Sequence, residues 1–157
     1  MSIFVLNVAL ALGWAALVGS FELHSLLIGF AIGYAALWLT QPLFGRTGYF
    51  VRVGRVCRLV GFFFYELLVS SLRVVWDVFT PDHLSRPGIL AVPLDAESDS
   101  EILLVASLIS LTPGSLSLDV SPDRRTLYVH AMFIEDPADL RRSLKEGFEK
   151  MVIEALR

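Results

Sequence analysis

The sequence contains few of the residues that carry out chemistry in proteins. Among its 157 residues there are one cysteine and three histidines, and 18% are charged. A single cysteine, Cys57, can form neither an internal disulfide nor a Cys-x-x-Cys metal site. The histidines lack the regular spacing of metal ligands, and the chain has no P-loop, dinucleotide-binding motif or nucleophile elbow. We therefore expect no enzymatic activity, no bound metal and no cofactor.

Charge is scarce, and it is divided unevenly along the chain. A soluble domain carries about 25% charged residues, so the lower content here indicates a membrane protein. Residues 1–80 contain five basic and three acidic residues, whereas residues 81–157 contain eight basic and thirteen acidic ones. Neither half has a long basic run or a basic patch with interleaved aromatic residues, so nucleic acid is not an expected partner. The pattern predicts membrane helices in residues 1–80 and a cytoplasmic globular domain in residues 81–157.

Two apolar runs at residues 3–19 and 23–40 predict a helical hairpin. Each run makes a helix of about 26 Å, close to the 30 Å of bilayer hydrocarbon. A signal peptide is a poor alternative for the first run, because no positive segment precedes it and a second apolar run follows almost at once. Gly13, Gly29 and Gly33 predict close contact between the helices, and the last two form a GxxxG motif.

A third apolar run at residues 59–80 is about 22 residues long, which is enough to cross a bilayer. It contains four polar residues, spaced four, three and four positions apart, that fall on one face of a helix: Glu66, Ser70, Arg73 and Asp77. We call these four residues the polar stripe. Because a charge in hydrocarbon costs several kcal/mol, the polar stripe must face water or other protein. Its members are candidate subunit-interface or ion-linked residues.

The placement of the third helix decides on which side of the membrane the globular half lies. Residues 41–58 contain glycine and proline breaks and four arginines, and positive segments beside membrane helices stay in the cytoplasm. If residues 59–80 also crossed, residues 81–157 would end outside. A helix lying along the cytoplasmic interface would keep them inside. The sequence favours the interfacial placement and leaves open a crossing helix that packs on a partner.

The start of the second half predicts a loop, a strand and a capped helix. Residues 81–88 contain two prolines and a terminal glycine and predict the boundary between the halves. Residues 89–94 form a short apolar strand, which Pro93 limits to a sheet edge. Ser98 and Glu101 then form a capping box before an apolar run.

The remaining segments complete a β-α-β-β-α order. Residues 102–111 predict a helix too short to span a bilayer, and it ends at a candidate docking turn made of Thr112, Pro113 and Gly114. Residues 115–120 and 126–133 alternate apolar and polar side chains around a turn, which predicts a β-hairpin with Leu116, Leu118 and Val120 on one face. A helix capped at Asp136 follows, with a single apolar stripe. The fold class is therefore an α-helical membrane half followed by a small α+β domain.

One block of sequence is more specific than the hydropathy pattern. Residues 108–120 read Leu-Ile-Ser-Leu-Thr-Pro-Gly-Ser-Leu-Ser-Leu-Asp-Val, and residues 126–130 read Thr-Leu-Tyr-Val-His. With the apolar hairpin and the arginine-flanked third helix, this block resembles the MrpE/MnhE family over nearly the whole chain. That family is a small subunit of the multi-subunit Mrp-type Na⁺/H⁺ antiporter of bacterial plasma membranes. The resemblance implies membership of a large complex whose ion pathways are attributed mainly to larger subunits, and it implies no catalytic residues.

Two or three helices are too few to enclose an ion site and to alternate access to it. We therefore predict a multi-pass accessory subunit of the bacterial plasma membrane that assembles or stabilises a monovalent cation (Na⁺)/proton antiporter. Its expected partners are the other antiporter subunits and the lipid bilayer. The alternative is a membrane-tethered cytoplasmic binding or regulatory module, which requires a ligand pocket in the globular half.

Overall fold

The computed structural model describes residues 3–41, 48–80 and 85–157. The chain forms two compact units, Met1–Val53 and Gly54–Arg157. The predicted breaks at residues 42–47 and the first part of the predicted loop, residues 81–84, lie outside the described residues. The expected boundary between membrane and cytoplasmic parts falls at that loop, so it stays a prediction.

The first unit contains the predicted helical hairpin. Helix α1 runs from Ile3 to Val18 and helix α2 from Leu23 to Leu39, and the two helices pack against each other. Gly19 follows α1 with a φ of 71°, a left-handed conformation that glycine adopts without strain at a helix end.

Gly29 and Gly33 form the face of α2 that contacts α1, as the GxxxG motif predicted. A Cβ added at Gly29 would lie 2.8 Å from Cβ of Trp14, and one added at Gly33 would overlap Oδ1 of Asn7. The prediction for Gly13 was wrong, because Gly13 is exposed and a Cβ there would meet nothing within 4 Å. It lies on the side of α1 that points away from α2.

The contact at Gly33 also fixes a buried amide. Asn7 is fully buried, and its Nδ2 donates a hydrogen bond to Oη of Tyr49 at 2.9 Å. The ring of Tyr49 contacts those of Phe4 and Tyr34. Gly33 therefore leaves room for the one strongly polar side chain of α1, which would otherwise be costly in an apolar helix.

We expect Gly33→Ala to destabilise the hairpin by about 1–3 kcal/mol, the usual cost of overpacking a filled contact. The added methyl group displaces the Asn7 amide and weakens its bond to Tyr49. The measurement is an SDS titration of the purified chain in mixed micelles, followed by tryptophan fluorescence. Gly13→Ala is the control and is expected to leave the midpoint unchanged; equal midpoints for both variants would contradict the packing.

Helix α3 is a single 31-residue helix from Tyr49 to Phe79. It begins ten residues before the predicted start at residue 59 and continues through Gly54 and Gly61. The expectation that Gly54 breaks the helix was therefore wrong. One glycine costs a helix only about 1 kcal/mol relative to alanine, and the residues around Gly54 are compatible with a helix.

A three-stranded antiparallel sheet forms the centre of the second unit. Strands β1 (Gly88–Pro93), β2 (Ser115–Val120) and β3 (Thr126–Ala131) lie in the order β1-β3-β2. Pro93 ends an edge strand, as predicted. One face of the sheet is buried, through Leu90, Val92, Leu127, Val129 and Ala131.

A β-bulge in β2 changes the predicted face of that strand. Ser117 pairs with Val129 and Asp119 with Tyr128, so Leu118 has no residue opposite it. Leu116 and Leu118 are exposed, whereas Val120 packs against the core. The prediction that all three share one face was wrong for Val120, because the extra residue at the bulge reverses the alternation.

The helices of the second unit cover the buried face of the sheet. Helix α4 runs from Asp99 to Leu111, and the last helical segment consists of α5 (Pro137–Leu144), a π-helical turn (Lys145–Glu149) and α6 (Lys150–Leu156). The core joins side chains from the sheet and these helices with one from α3; its buried residues include Val105, Ile109, Phe148, Val152 and Leu59. The structure thus has the predicted three N-terminal helices and β-α-β-β-α order.

The predicted capping box of α4 is present and is extended by an arginine. Oγ of Ser98 accepts a hydrogen bond from the backbone N–H of Glu101, and the Glu101 carboxylate accepts one from the backbone N–H of Ser98. Arg157 donates to both oxygens of the same carboxylate, at 2.8 and 3.2 Å. These bonds, that from Arg157 first, lower the pKa of the Glu101 carboxyl to about 2.

We expect this carboxylate to make the stability of the α+β domain depend on pH. Because the pKa of Glu101 is lower in the folded chain, its contribution is present above about pH 4.5 and is lost as the pH falls towards about 2. Urea midpoints of the full chain in micelles, followed by circular dichroism, should fall over that window, and Glu101→Gln should flatten the fall. Exposed Glu146→Gln is the control. An unchanged slope in Glu101→Gln would contradict the assignment.

Candidate site along the third helix

One face of α3 packs against the α+β domain. Leu59 is 6% exposed and belongs to the core of the domain. The ring of Phe62 meets that of Phe148 edge-on, with centroids 5.2 Å apart, and a Cβ at Gly147 would lie 3.0 Å from Cζ of Phe62. The residues in the middle of α3 are therefore part of the packing of the domain.

Polar contacts extend this packing towards both ends of α3. Nη1 of Arg55 donates a hydrogen bond to the carbonyl oxygen of Glu154 at 2.9 Å. At the other end, Oδ1 of buried Asp77 accepts a hydrogen bond from the backbone N–H of Ser85 at 3.1 Å. The domain consequently contacts α3 from Arg55 to Asp77.

The polar stripe and the predicted docking turn meet at one cavity. It has a volume of about 110 Å³, and three stripe residues, Glu66, Ser70 and Arg73, line it from α3. Thr112, Pro113 and Gly114 line the opposite wall. The sequence predicted each group separately but gave no sign that they face each other.

The docking turn is held in place by its own hydrogen bonds. Oγ1 of Thr112 donates to the carbonyl oxygen of Leu108 at 2.8 Å, and Oγ of Ser115 donates to that of Ile109 at 2.7 Å. Gly114 has a φ of 86°, which other residues adopt only with strain, and a Cβ there would lie 3.3 Å from the ring of Phe133. The wall that faces the polar stripe is therefore rigid.

The two charged residues at the cavity have no polar partner within the described parts of the chain. Glu66 is half-buried and Arg73 is exposed, and neither takes part in a hydrogen bond or ion pair there. Arg73 also borders an open groove on the neighbouring surface with three acidic residues, namely Glu135, Asp136 and Asp139. The site thus presents a half-buried carboxylate beside a guanidinium that lies among acidic side chains.

Sequence reasoning missed several residues that complete the cavity. They come from α3, β3 and the last helical segment: Phe62, Val129, Ala131, Leu140, Ser143, Leu144 and Phe148. The apolar stripe of the last helix already contained Leu140, Leu144 and Phe148. The sequence pattern predicted this stripe but did not show which surface it packs against.

We also searched the described residues for metal-ligand groups and for helices that could cross a membrane. Among residues 3–41, 48–80 and 85–157, no group of three or more His, Cys, Asp or Glu side chains is arranged to hold a metal ion. Helix α3 is long and apolar enough to cross a membrane, and α1 and α2 are apolar but shorter.

Comparison with known proteins agrees with the resemblance found in the sequence. Residues 7–155 match the model of a family described as Na⁺/H⁺ ion antiporter subunit. A Na⁺/H⁺ antiporter subunit of Bacillus subtilis is 35% identical over 153 residues, which cover 98% of this chain and 97% of that protein.

Two solved structures share the fold. A chain of the Mrp complex from Dietzia sp. DQ12-45-1b is 33% identical, with a TM-score of 0.51, over 66% of this chain and 96% of that one. A chain of an archaeal membrane-bound sulfane sulfur reductase covers 97% of this chain and 98% of its own length, with a TM-score of 0.59, and at 22% identity it supports the fold alone. Together with the family match, these relationships identify the chain as a member of the MrpE/MnhE family of Na⁺/H⁺ antiporter subunits.

Proposed function

We propose that this chain is an accessory membrane subunit that assembles or stabilises a multi-subunit Na⁺/H⁺ antiporter and does not form the ion path alone. The observation that carries the proposal is the direction of the polar stripe. Glu66, Ser70 and Arg73 line a cavity together with residues of the α+β domain, and Asp77 bonds the backbone of Ser85, so the polar stripe faces the domain of the same chain and not a helix bundle. The two hairpin helices that remain are too few to enclose an ion and alternate access to it.

The cavity supports a contact with a neighbouring subunit. A half-buried carboxylate without a partner is costly, and a polar group from a second protein would offset that cost. Glu66, Ser70 and Arg73 supply donors and acceptors on one wall, and the turn at 112–114 supplies a rigid second wall. Asp77 already bonds the backbone of Ser85 within the chain, so in this proposal it holds α3 in place. The Dietzia relative belongs to an Mrp complex, which agrees with other antiporter subunits as partners.

The position of Glu66 at this cavity is also compatible with an ion-linked role. In that case a proton or sodium ion would pass beside Glu66 at the contact between subunits, and the carboxylate would exchange it. A membrane-tethered ligand-binding module is less well supported. Ordinary small-molecule sites have volumes of roughly 300–1,000 Å³ and a mainly apolar lining. The cavity of about 110 Å³ is smaller than that, and two open grooves of about 550 and 680 Å³ are each lined by four or more charged side chains.

The proposed location is the bacterial plasma membrane, with the hairpin crossing twice and the α+β domain in the cytoplasm. Both hairpin helices are almost free of charge, and arginines at positions 52, 55 and 58 follow them. Positive residues beside membrane helices are retained on the cytoplasmic side. In this arrangement residues 1–80 associate with the membrane and residues 81–157 lie in the cytoplasm.

We expect Arg73→Leu to weaken assembly several-fold and to leave the cation preference of the assembled fraction unchanged, because Arg73 supplies a contact between subunits and not an ion ligand. An affinity tag on this chain allows the co-purifying subunits to be quantified, and antiport in membrane vesicles reports the preference for Na⁺. Arg125→Leu, at an exposed arginine in the β2–β3 turn, is the matched control. Normal assembly together with altered sodium selectivity would instead support the ion-linked role.

The purified chain alone, reconstituted into lipid vesicles, is expected to show no sodium-for-proton exchange. A fluorescent pH indicator inside the vesicles would detect exchange on addition of Na⁺, and vesicles containing the complete complex serve as the positive control. Exchange by the isolated chain would refute an accessory role, since it would show that the chain contains a complete ion path.

A further inference from the structure

We propose that α3 lies along the cytoplasmic surface of the bilayer, with its outward face in lipid and the α+β domain docked on its opposite face. The inference rests on the proposed function, since it assumes that the chain is a membrane subunit. It deepens that function by assigning the lipid-contacting surface of the second unit. It also decides between the interfacial and the crossing placements that the sequence left open.

The outward face of α3 is uncharged over a long distance. Its residues are spaced three or four positions apart, all are exposed, and none is Asp, Glu, Lys or Arg; we call them the lipid face: Cys57, Val60, Gly61, Phe64, Tyr65, Leu68, Leu72, Val75, Trp76 and Phe79. From Cys57 to Phe79 the face is about 33 Å long. The acidic residues of α3 and its other arginines point away from this face, whereas Arg58, five turns before Trp76, lies at its edge. Leu72 and Trp76, at the same edge, border the groove that contains Arg73 and the three acidic residues.

The docked domain is incompatible with a crossing helix. Its contacts run from Arg55 to Asp77, a length of about 33 Å, which matches the roughly 30 Å of bilayer hydrocarbon. If α3 crossed, the domain would enter the hydrocarbon along that whole length. Its surface carries exposed charges such as Arg141, Arg142 and Glu146, and each would cost several kcal/mol there.

Separating the domain from the helix does not remove this cost. A crossing helix without the domain would place Glu66, Arg73 and Asp77 in the hydrocarbon. The domain would in turn lose Leu59 from its core and the ring contact of Phe62 with Phe148. An interfacial helix avoids both costs. Its polar side stays packed against the domain and out of the hydrocarbon, and its apolar side contacts lipid.

The chemistry of the lipid face favours lipid over a second protein. Protein interfaces form about one hydrogen bond per 100–200 Å² and have a polar rim, whereas the side chains of this face offer few polar atoms. Tyr65 and Trp76 are the residue types that settle at the level of lipid headgroups. Arg58 is exposed at the edge of this face near its first end, where it can meet anionic headgroups.

Site-directed spin labelling of the intact complex tests this placement. The complex is reconstituted into vesicles of phosphatidylethanolamine and phosphatidylglycerol, with Cys57→Ser in this chain and single cysteines introduced by Val60→Cys, Phe64→Cys, Leu68→Cys, Leu72→Cys or Val75→Cys. Collision rates of the nitroxide with oxygen and with a water-soluble nickel complex report its depth. Tyr128→Cys, on the exposed face of the sheet, gives the reference for a water-exposed label.

The expected result is a similar, shallow depth at all five positions. Depth that rises to the middle of the series and falls again would show a crossing helix and overturn the proposal. Low collision rates with both reagents would show a protein-covered face and would also overturn it. Five positions are used so that one poorly folded variant does not decide the outcome.

A sidedness measurement separates this proposal from the proposed function. In the Cys57→Ser background, a membrane-impermeant thiol reagent is expected to reach cysteines from Val56→Cys and Thr80→Cys, which lie outside the lipid face near the two ends of α3, from the same side of the membrane. Reaction from opposite sides would overturn the interfacial placement. Co-purification of the other subunits is measured when the chain is purified. A crossing profile with intact assembly rejects the placement alone. A shallow profile of the reconstituted chain, if no other subunits co-purify with it, rejects the accessory role alone.

Discussion

The packing of α3 on the α+β domain is the contact on which the rest of the structure depends. Leu59 completes the core of the domain, and Phe62 holds the last helical segment through Phe148. Without this contact the small domain would lose Leu59 from its core and expose Phe148, and α3 would leave Asp77 and Glu66 without cover. The helix and the domain therefore stabilise each other. The same contact creates the cavity at which the polar stripe and the docking turn meet.

Periodicity predicted most of the elements, because it reflects burial directly. The spacing of Glu66, Ser70, Arg73 and Asp77 predicted a polar face on an apolar helix, and the Ser98 capping box predicted the start of α4 within the described residues. Periodicity does not show which surface each face of a helix or strand packs against. The polar stripe was assigned to water or another protein, whereas in the structure it lies beside the domain of the same chain, with Asp77 buried, Glu66 half-buried and Arg73 exposed.

The errors in the prediction have local physical causes. Glycine was treated as a helix break at Gly54, although a single glycine lowers helix stability only slightly within a long apolar segment. Gly13 was grouped with Gly29 and Gly33 by residue type, although it lies on the opposite face of its helix. The β-bulge at Leu118 has no sequence signal comparable to a glycine or proline, and it reversed the face of Val120.

The direction of the polar stripe also limits how Glu66 can take part in ion movement. If α3 lies at the membrane surface, as we propose, Glu66 is on the side of the helix away from lipid, next to a cavity lined by Ser143 and the turn at 112–114. An ion reaching it would arrive from the cytoplasmic water and not from within the bilayer. A transfer step at Glu66 would therefore need a second protein to carry the ion onward across the hydrocarbon. Both roles proposed for this residue, the structural and the ion-linked one, would thus depend on a neighbouring subunit at the same surface, which is why assembly and ion selectivity must be measured together in its variants.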